Sequence, residues 1–174
     1  GARTGDVIIT TGRFGKTGAG LGILLHKSKS SGKFRKDCID SVLLPKPQLK
    51  FGIASSKYLS SSMDSSDGLS TTLTELAISS KKKFIINTIP KESRLDEFAK
   101  ANRRKTLDLV FNSGEEYEIV ATTNPKNIPR LQKIAKKYRI NLIQIGFVQS
   151  GKGVFLQSDK KQTPIKNKGW RHFA

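Results

Sequence analysis

Residues 5–25 read GDVIITTGRFGKTGAGLGILL, and the periodicity changes partway along this stretch. The β-branched run at 5–10 predicts a strand. After a glycine-rich turn, the apolar run at 21–27 predicts a short helix. A strand that leads into a helix across a short turn is the basic unit of a domain in which helices pack on a sheet. The stretch therefore predicts an α/β or α+β fold.

The same alternation continues outward from this stretch to the end of the chain. Residues 27–36 are polar and predict a loop, and the spacing of Ser93 and Asp96 predicts a capping box that starts a helix. Further strands are predicted at 83–89, 116–123, 140–148 and 153–157, and further helices at 48–59, from about 68, around 107–111 and at 128–138. We expect these helices to pack on a mixed sheet.

The turn itself, TTGRFGKT at 10–17, has the context of a phosphate-binding P-loop because it joins a strand to a helix. The P-loop pattern requires a glycine five residues before Gly15, and Thr10 occupies that position. We also find no second apolar strand that ends in a magnesium-binding aspartate. We therefore interpret the turn as a tight strand-to-helix connection and keep the P-loop as the less favoured alternative.

Composition narrows the class of protein. The 174 residues predict one domain, and 32 basic against 14 acidic residues give a net charge of +18. Such a charge suggests either an anionic partner or a lysine-rich solvated surface. The basic clusters are scattered and have no interleaved aromatics, which disfavours nucleic acid. The single cysteine, Cys38, excludes an internal disulfide and a cysteine-based zinc site. No membrane-spanning run or signal peptide is found, so we expect a cytoplasmic protein without a membrane partner.

Two carboxylates stand close together in MDSSDGLSTTL, residues 63–73. A helix is predicted to begin near Gly68, so Ser66 or Asp67 could cap it, which is the more common role for such residues. Alternatively, Asp64 and Asp67 could hold a divalent cation between the protein and a polyphosphate. Gly68 would let a ligand approach the backbone closely.

A second acidic stretch, NSGEEYEIVAT at 112–122, places three carboxylates within four positions. In a regular strand Glu115 and Tyr117 would share one face, and Glu116 and Glu118 the other. An exposed strand end balancing nearby lysines would explain them. However, two acidic clusters, each beside a glycine in so basic a chain, favour the floor of a cation or ligand site.

These stretches, together with IGFV…GKGVFL and GWRHF near the end, come in the order seen in the thiamine-monophosphate kinase family. The chain resembles the C-terminal half of that family, within the aminoimidazole-ribonucleotide-synthetase superfamily, from Gly1 to about Phe173. The resemblance implies a three-layer α/β/α fold that is partly ferredoxin-like. It implies a domain at 1–160 and a basic, aromatic tail at 161–174 that closes over the substrate site. It also implies an N-terminal domain, absent from this chain, that forms a homodimer and supplies much of the ATP and magnesium site.

The implied reaction transfers the γ-phosphoryl group of ATP to thiamine monophosphate and gives thiamine diphosphate. The resemblance assigns roles residue by residue: Mg²⁺ to Asp64 and Asp67, ATP to Ser66 and Gly68, and the thiamine moiety to Glu115 and Trp170. It assigns no catalytic residue beyond those that position metal and substrate, which suits phosphoryl transfer. This chain alone is expected to be inactive or nearly so.

Two positions depart from the family pattern. Ser113 replaces a glycine and Glu116 an aspartate, so we expect the fine geometry of the site, rather than the substrate class, to differ from the family's. Two alternatives stay open: another ATP-dependent enzyme of the superfamily with a different acceptor, and a basic nucleic-acid-binding module.

Overall fold

The computed structural model describes residues 1–159 and 161–169. In this part of the chain seven strands form one sheet, in the order β2-β4-β1-β5-β3-β6-β7. The pairing is antiparallel except between β3 and β6. The strands are β1 (Val7–Thr10), β2 (Ser61–Asp64), β3 (Lys83–Ile86), β4 (Ile119–Thr123), β5 (Ile143–Gln149), β6 (Gly153–Ser158) and β7 (Lys161–Pro164).

Helices connect and cover these strands. They are α1 (Lys16–His26), α2 (Gly32–Leu43), α3 (Leu49–Ser55), α4 (Leu69–Ser80), α5 (Leu95–Ala101), α6 (Thr106–Phe111) and α7 (Ile128–Lys137), with short 3₁₀ turns at Ser56–Tyr58 and Pro125–Asn127. Among the described residues, no helix combines the length and the apolar character needed to cross a bilayer.

Two hydrophobic cores lie on opposite faces of the sheet. Ile8 and Ile9 are adjacent on β1 and therefore point to opposite faces. Ile8 belongs to the larger core, which α1, α2, α4, α5 and α6 complete. Ile9 belongs to the smaller core, where Phe51 of α3 and Leu131 of α7 cover it. The predicted three-layer α/β/α arrangement is confirmed.

Three chain connections lie side by side at one end of the strands. β2 ends at Asp64, which pairs with Ile119 at the start of β4. β1 ends at Thr10, which pairs with Val120 of the same strand. Because both pairs are antiparallel, the ends of β1 and β2 and the beginning of β4 lie next to each other. The fold thus brings the glycine-rich turn and both acidic stretches together.

Several local predictions are wrong. The segment predicted as a loop at 27–36 contains the start of α2, which buries only a narrow stripe formed by Phe34 and Cys38. The edge strand β2, with the sequence SSMD, was not predicted because it is short and polar. The capping box is absent, since α5 begins after Arg94, whose φ is 65°, and has no side-chain cap.

The later part of the chain also differs from the predicted pattern. The strand predicted from residue 116 begins only at Ile119, because Glu115 and Tyr117 have positive φ values of 64° and 52°. β5 and β6, although joined by a short turn, do not pair, since β3 lies between them. The segment predicted as the start of the tail forms β7, which pairs with β6 at the sheet edge.

Candidate functional site

Three loops meet where β1 and β2 end and β4 begins. We name them the glycine turn (11–15), the aspartate loop (64–68) and the glutamate loop (112–118). Backbone hydrogen bonds join the last two: the Ser65 amide donates to the Glu118 carbonyl (3.0 Å), and the Glu115 amide to the Ser66 carbonyl (2.6 Å). The Thr17 hydroxyl, just beyond the glycine turn, donates to the Gly114 carbonyl (2.8 Å). The glutamate loop is therefore held from both sides.

The contact between the aspartate and glutamate loops requires a glycine. A Cβ atom added at Gly114 would lie 2.6 Å from the Ser66 carbonyl oxygen. Because that oxygen belongs to the backbone, any side chain here would push the two loops apart. The close backbone approach, rather than a turn conformation, explains why a glycine precedes the acidic run.

The aspartate loop does not cap the helix that follows it. The N-cap residue of α4 is Gly68, with φ 101°, and no side-chain cap is made, so the capping interpretation of Ser66 and Asp67 is wrong. Threonine hydroxyls of α4 instead hold the loop backbone, with Thr72 3.2 Å from the Asp64 carbonyl and Thr71 3.3 Å from the Asp67 carbonyl.

This arrangement leaves the aspartate carboxylates available. Among the described residues, the side chains of Asp64 and Asp67 accept no hydrogen bond and form no ion pair. Asp64 is exposed and Asp67 half-buried. Both carboxylates thus lack a cationic partner, although the protein is rich in lysine. Carboxylate oxygens are the kind of ligand that a hard divalent cation prefers.

A cleft of about 1120 Å³, called the main cleft below, lies over these loops. Ser66, Asp67 and Glu115 line one side of it, and Leu21 and Leu25 of α1 give it an apolar wall. The rim is formed by residues 167–169, where the side chain of Asn167 accepts from the Thr71 hydroxyl (2.9 Å). The cleft thus combines carboxylates with an apolar surface, as small-molecule sites commonly do.

Not every predicted site residue reaches this cleft. Asp64 lines a neighbouring cleft of about 580 Å³, whose wall is largely apolar and includes Leu49, Ile53 and Tyr117. Gly68 is buried at the start of α4. Trp170 lies outside the described residues. The structure therefore brings together Ser66, Asp67 and Glu115, and places Asp64 on the adjacent side of the same loop.

Glu116 and Glu118, the other two glutamates of this loop, do not line the main cleft. Their carboxylates accept hydrogen bonds from the protein itself, which was not predicted. The Glu116 carboxylate accepts from the backbone amides of Gly15 (2.6 Å) and Thr17 (3.4 Å), and the Glu118 carboxylate accepts from the Thr11 hydroxyl. Burial raises the pKa of Glu116 to about 7, against the lowering effect of those amides, and burial also raises the pKa of Glu118.

These contacts answer the P-loop question. The amides that would cradle a phosphate in a P-loop here bind the protein's own carboxylate, Glu116. The turn is therefore a structural connection between strand and helix, as the missing glycine at Thr10 predicted. The signal for this role was present in the sequence only as an acidic residue far from the turn, which no local pattern could pair with it.

The predicted alternation of faces is half right. Glu116 and Glu118 do share a small polar cleft of about 550 Å³, together with the Lys16–Glu92 ion pair (3.0 Å). Glu115 and Tyr117 do not share a face, since they line the main and the apolar cleft respectively. The left-handed backbone at both residues explains the difference, because it breaks the twofold repeat of a strand.

The two departures from the family pattern fit this geometry. Ser113 does not adopt a positive φ, so serine is accommodated without strain, and its hydroxyl packs against Gly18, where an added Cβ would lie 2.0 Å away. Glu116 has a longer side chain than aspartate, and its carboxylate accepts a hydrogen bond from the Gly15 amide at 2.6 Å.

A complete metal site is not found in this part of the chain. No group of three or more His, Cys, Asp or Glu side chains that could hold a metal occurs among the described residues. Asp64 and Asp67 by themselves do not make up such a group.

The family model for AIR synthase related protein, C-terminal domain, matches residues 3–159. The chain is 53% identical over 173 residues to a thiamine-monophosphate kinase of Nitrosopumilus maritimus (strain SCM1), covering 99% of this chain and 55% of that protein. It is 34% identical over 176 residues to a thiamine-monophosphate kinase of Buchnera aphidicola subsp. Schizaphis graminum (strain Sg), covering 99% and 54%. The resemblance to thiamine-monophosphate kinases is confirmed.

Among solved structures, the chain is similar to AaThiL complexed with AMPPCP and TMP, with a TM-score of 0.81 and 28% identity over 99% of this chain and 53% of that one. The chain spans about half the length of the curated relatives that it matches.

Proposed function

We propose that this chain, which belongs to the family of C-terminal domains of AIR synthase related proteins, forms one half of a thiamine-monophosphate kinase. The observation that carries the proposal is that Ser66, Asp67 and Glu115, which come from two separate loops, line one cleft. The name shared by the relatives and the AMPPCP and TMP bound by the similar structure support ATP and thiamine monophosphate as substrates.

In the proposed reaction, a phosphate oxygen of thiamine monophosphate attacks the γ-phosphorus of ATP. The bond from that phosphorus to the β-phosphate oxygen breaks, so the products are thiamine diphosphate and ADP. Both reactants carry several negative charges, and catalysis must therefore come mainly from positioning and charge neutralisation. No side chain needs to form a covalent intermediate.

We assign the aspartate loop to the nucleotide side of the site. Asp64 and Asp67 would hold Mg²⁺, which neutralises charge on the ATP phosphates. The carboxylates are ready for that role because threonine hydroxyls of α4 already hold the loop backbone. Ser66 and Gly68 would contact the nucleotide, through a hydroxyl and the backbone respectively.

We assign the glutamate loop to the thiamine side. The thiazolium ring of thiamine is cationic, so the exposed Glu115 carboxylate at the cleft would attract it. Leu21 and Leu25 offer an apolar wall to the rings, and Trp170 would add an aromatic face. The rim residues 167–169 lead directly to Trp170, which supports the proposal that the tail closes over this cleft.

The remaining parts of the site would come from the other half of the protein. Two aspartates would leave most of the six positions around Mg²⁺ to phosphate oxygens, water and further protein ligands, and the relatives are about twice as long as this chain. We propose that an N-terminal domain supplies further carboxylates and the homodimer interface. Cytoplasmic localisation stays a prediction.

The test is an assay of the full-length protein with ATP, Mg²⁺ and thiamine monophosphate. Asp67→Asn keeps the size of the side chain but removes the charge, so we expect kcat/KM to fall roughly 100-fold. Glu75→Gln, the same kind of change at an exposed site on α4, should leave it unchanged. Wild-type activity in the Asp67 variant would reject the metal assignment, and robust turnover by this chain alone would reject the two-half assignment.

A further inference from the structure

We propose that Glu116 is a positioning residue: its carboxylate ties the glutamate loop to the first turn of α1 and so sets where Glu115 stands beside Asp67. The inference rests on the proposed function, because the location of Glu115 matters only if that carboxylate binds substrate. Glu116 itself lines the small polar cleft, away from the substrates, so it acts through its neighbour.

Glu116 contacts α1 at its first turn. This helix has 11 residues, its N-cap is Gly15, and it has no side-chain cap of its own. Glu116 supplies the missing acceptor from a distant part of the chain, at 2.6 Å from the Gly15 amide and 3.4 Å from the Thr17 amide. A carboxylate is the preferred partner of free amides at a helix N-terminus, and charged acceptors make the stronger hydrogen bonds.

Glu115 is held on both sides. On one side, the Thr17 hydroxyl donates to the Gly114 carbonyl (2.8 Å), so α1 holds the residue before Glu115 as well as the residue after it. On the other side, the Glu115 amide donates to the Ser66 carbonyl (2.6 Å). The loop is thus clamped between α1 and the aspartate loop.

The backbone of the loop has an unusual conformation around Glu116. Glu115 and Tyr117, which flank Glu116, both have left-handed φ values, of 64° and 52°. Non-glycine residues adopt this conformation infrequently, and it persists where the surrounding contacts impose it. The bonds from Glu116 to α1 are contacts of that kind, and they lie between the two left-handed residues.

The electrostatic surroundings of Glu116 indicate when the clamp is charged. The charged groups that face it or line its cleft are Arg13, Lys16, Lys33, Asp37, Asp40, Lys46, Glu92, Glu118 and Arg139. Burial raises its pKa to about 7, so the carboxylate is charged at pH 8 and largely neutral at pH 6. Burial outweighs the two amide bonds, so the folded loop favours the neutral carboxyl, which still has an oxygen that accepts from the amides, and the clamp should tighten as the pH falls through 7.

The experiment uses the full-length protein with Glu116→Ala, Glu116→Gln and the control Glu75→Ala. Hydrogen–deuterium exchange, followed by mass spectrometry on peptides that cover 112–118, reports the loop directly and needs no substrate. Steady-state kinetics from pH 6 to 8 report substrate binding. Because Glu115 is assigned to the part of the substrate remote from the transferred phosphoryl group, its displacement should change KM rather than kcat.

For Glu116→Ala, which removes the acceptor, we expect at pH 8 roughly fivefold faster exchange in 112–118 and a KM for thiamine monophosphate raised about tenfold, with kcat within about twofold. Wild-type KM should fall as the pH falls from 8 to 6, because the folded loop favours the neutral carboxyl, whereas the KM of Glu116→Ala should be high and nearly flat. Glu116→Gln, which keeps an accepting oxygen without the charge, should have a KM no higher than wild type and lack this pH dependence. Glu75→Ala should match wild type.

Unchanged exchange in the loop would overturn the proposal, and so would faster exchange with an unchanged KM. A loss of kcat at constant KM would also overturn it. Failure of the proposed function would look different, since the wild-type protein would then not phosphorylate thiamine monophosphate at all. In that event the exchange measurement would still decide whether Glu116 holds the loop.

Discussion

At the scale of single residues, the site depends on which carboxylates are free and which are used inside the protein. Asp64 and Asp67 have no partner among the described residues, while Glu116 and Glu118 are bound by the glycine turn and its neighbours. The sequence placed all of these acids in two clusters, but it could not separate the two kinds. That difference depends on contacts between residues about 100 positions apart, which no local pattern contains.

A buried carboxylate with a raised pKa gives a stability prediction with a definite sign. The pKa of Glu116 is about 7 in the folded state, above the ordinary glutamate value of 4.5. Between these values the folded state holds a proton that the unfolded state has lost, so the stability contributed by this group falls as pH rises from 4.5 to 7. At pH 8 the fold carries the full cost of a buried charge.

We therefore expect Glu116→Gln to be more stable than wild type at pH 8, by about 1–2 kcal/mol, and to lack this part of the pH dependence. Denaturant unfolding of this chain at pH 5 and pH 8 would measure both effects. Glu75→Gln serves as the control because its carboxylate is exposed. A variant that is less stable than wild type at pH 8 would mean that the hydrogen bonds outweigh the cost of burial.

The close approach of the two acidic loops gives a second prediction at this scale. Gly114→Ala would place a methyl group 2.6 Å from a backbone carbonyl, so the loops must separate. We expect a stability loss of about 1–3 kcal/mol and weaker binding of thiamine monophosphate. Calorimetry of the full-length protein would measure both quantities.

Gly52→Ala is the matched control for that change. Gly52 lies in α3, and a methyl group there would meet only the end of the Ile119 side chain, at 3.1 Å. Helical alanine is also intrinsically favourable. Equal losses from the two substitutions would show that the loop contact has no special importance.

At the scale of elements, sequence patterns found the central strands and the long amphipathic helices but missed elements whose stability comes from their partners. β1 and α7 have clear periodicity and were predicted. α2 was not, because its buried stripe is narrow and most of its residues are polar. β2 and β7 are polar edge strands that are defined by pairing with β4 and β6 rather than by their composition.

The missed helix α2 offers a direct test of its packing. Phe34 is 9% exposed, and its ring lies 6.0 Å from that of Phe98 on α5. We expect Phe34→Ala to lower the free energy of unfolding by about 3 kcal/mol, because it leaves a cavity between the two helices. Leu43→Ala, in the same helix but 62% exposed, should change it by less than about 0.5 kcal/mol. Denaturant titration would compare them, and a small effect at Phe34 would mean that α2 is not firmly docked.

At the scale of the whole molecule, the fold class was predicted from the sequence, while the internal use of Glu116 was not. The order of strands and helices predicted helices packed on a mixed sheet, and the family resemblance added the three layers. The two acidic stretches lie next to each other because β2 pairs antiparallel with β4. The division of the site into two neighbouring clefts was not predicted, because it depends on the left-handed backbone at Glu115 and Tyr117. Such conformations are imposed by surrounding contacts rather than by residue type.

The net charge of +18 gives a prediction for the molecule as a whole. Like charges on a folded chain repel each other, and dissolved salt screens that repulsion. We expect the urea midpoint of unfolding to rise as NaCl increases from about 20 to 300 mM, with KCl giving the same shift because the effect depends on ionic strength. A midpoint that falls with salt would mean that attractive ion pairs dominate instead.

The insertion of β3 between β5 and β6 has a consequence for how the protein is made. Residues 83–86 leave the ribosome long before both of their neighbours, 143–149 and 153–158, have been synthesised. Until then this apolar segment has no strand on either side and must wait in an incomplete sheet, where it is open to wrong pairing with other chains. Translation that stops before residue 150 should thus release an aggregation-prone intermediate, and the growing polypeptide is a natural client for a chaperone during that interval.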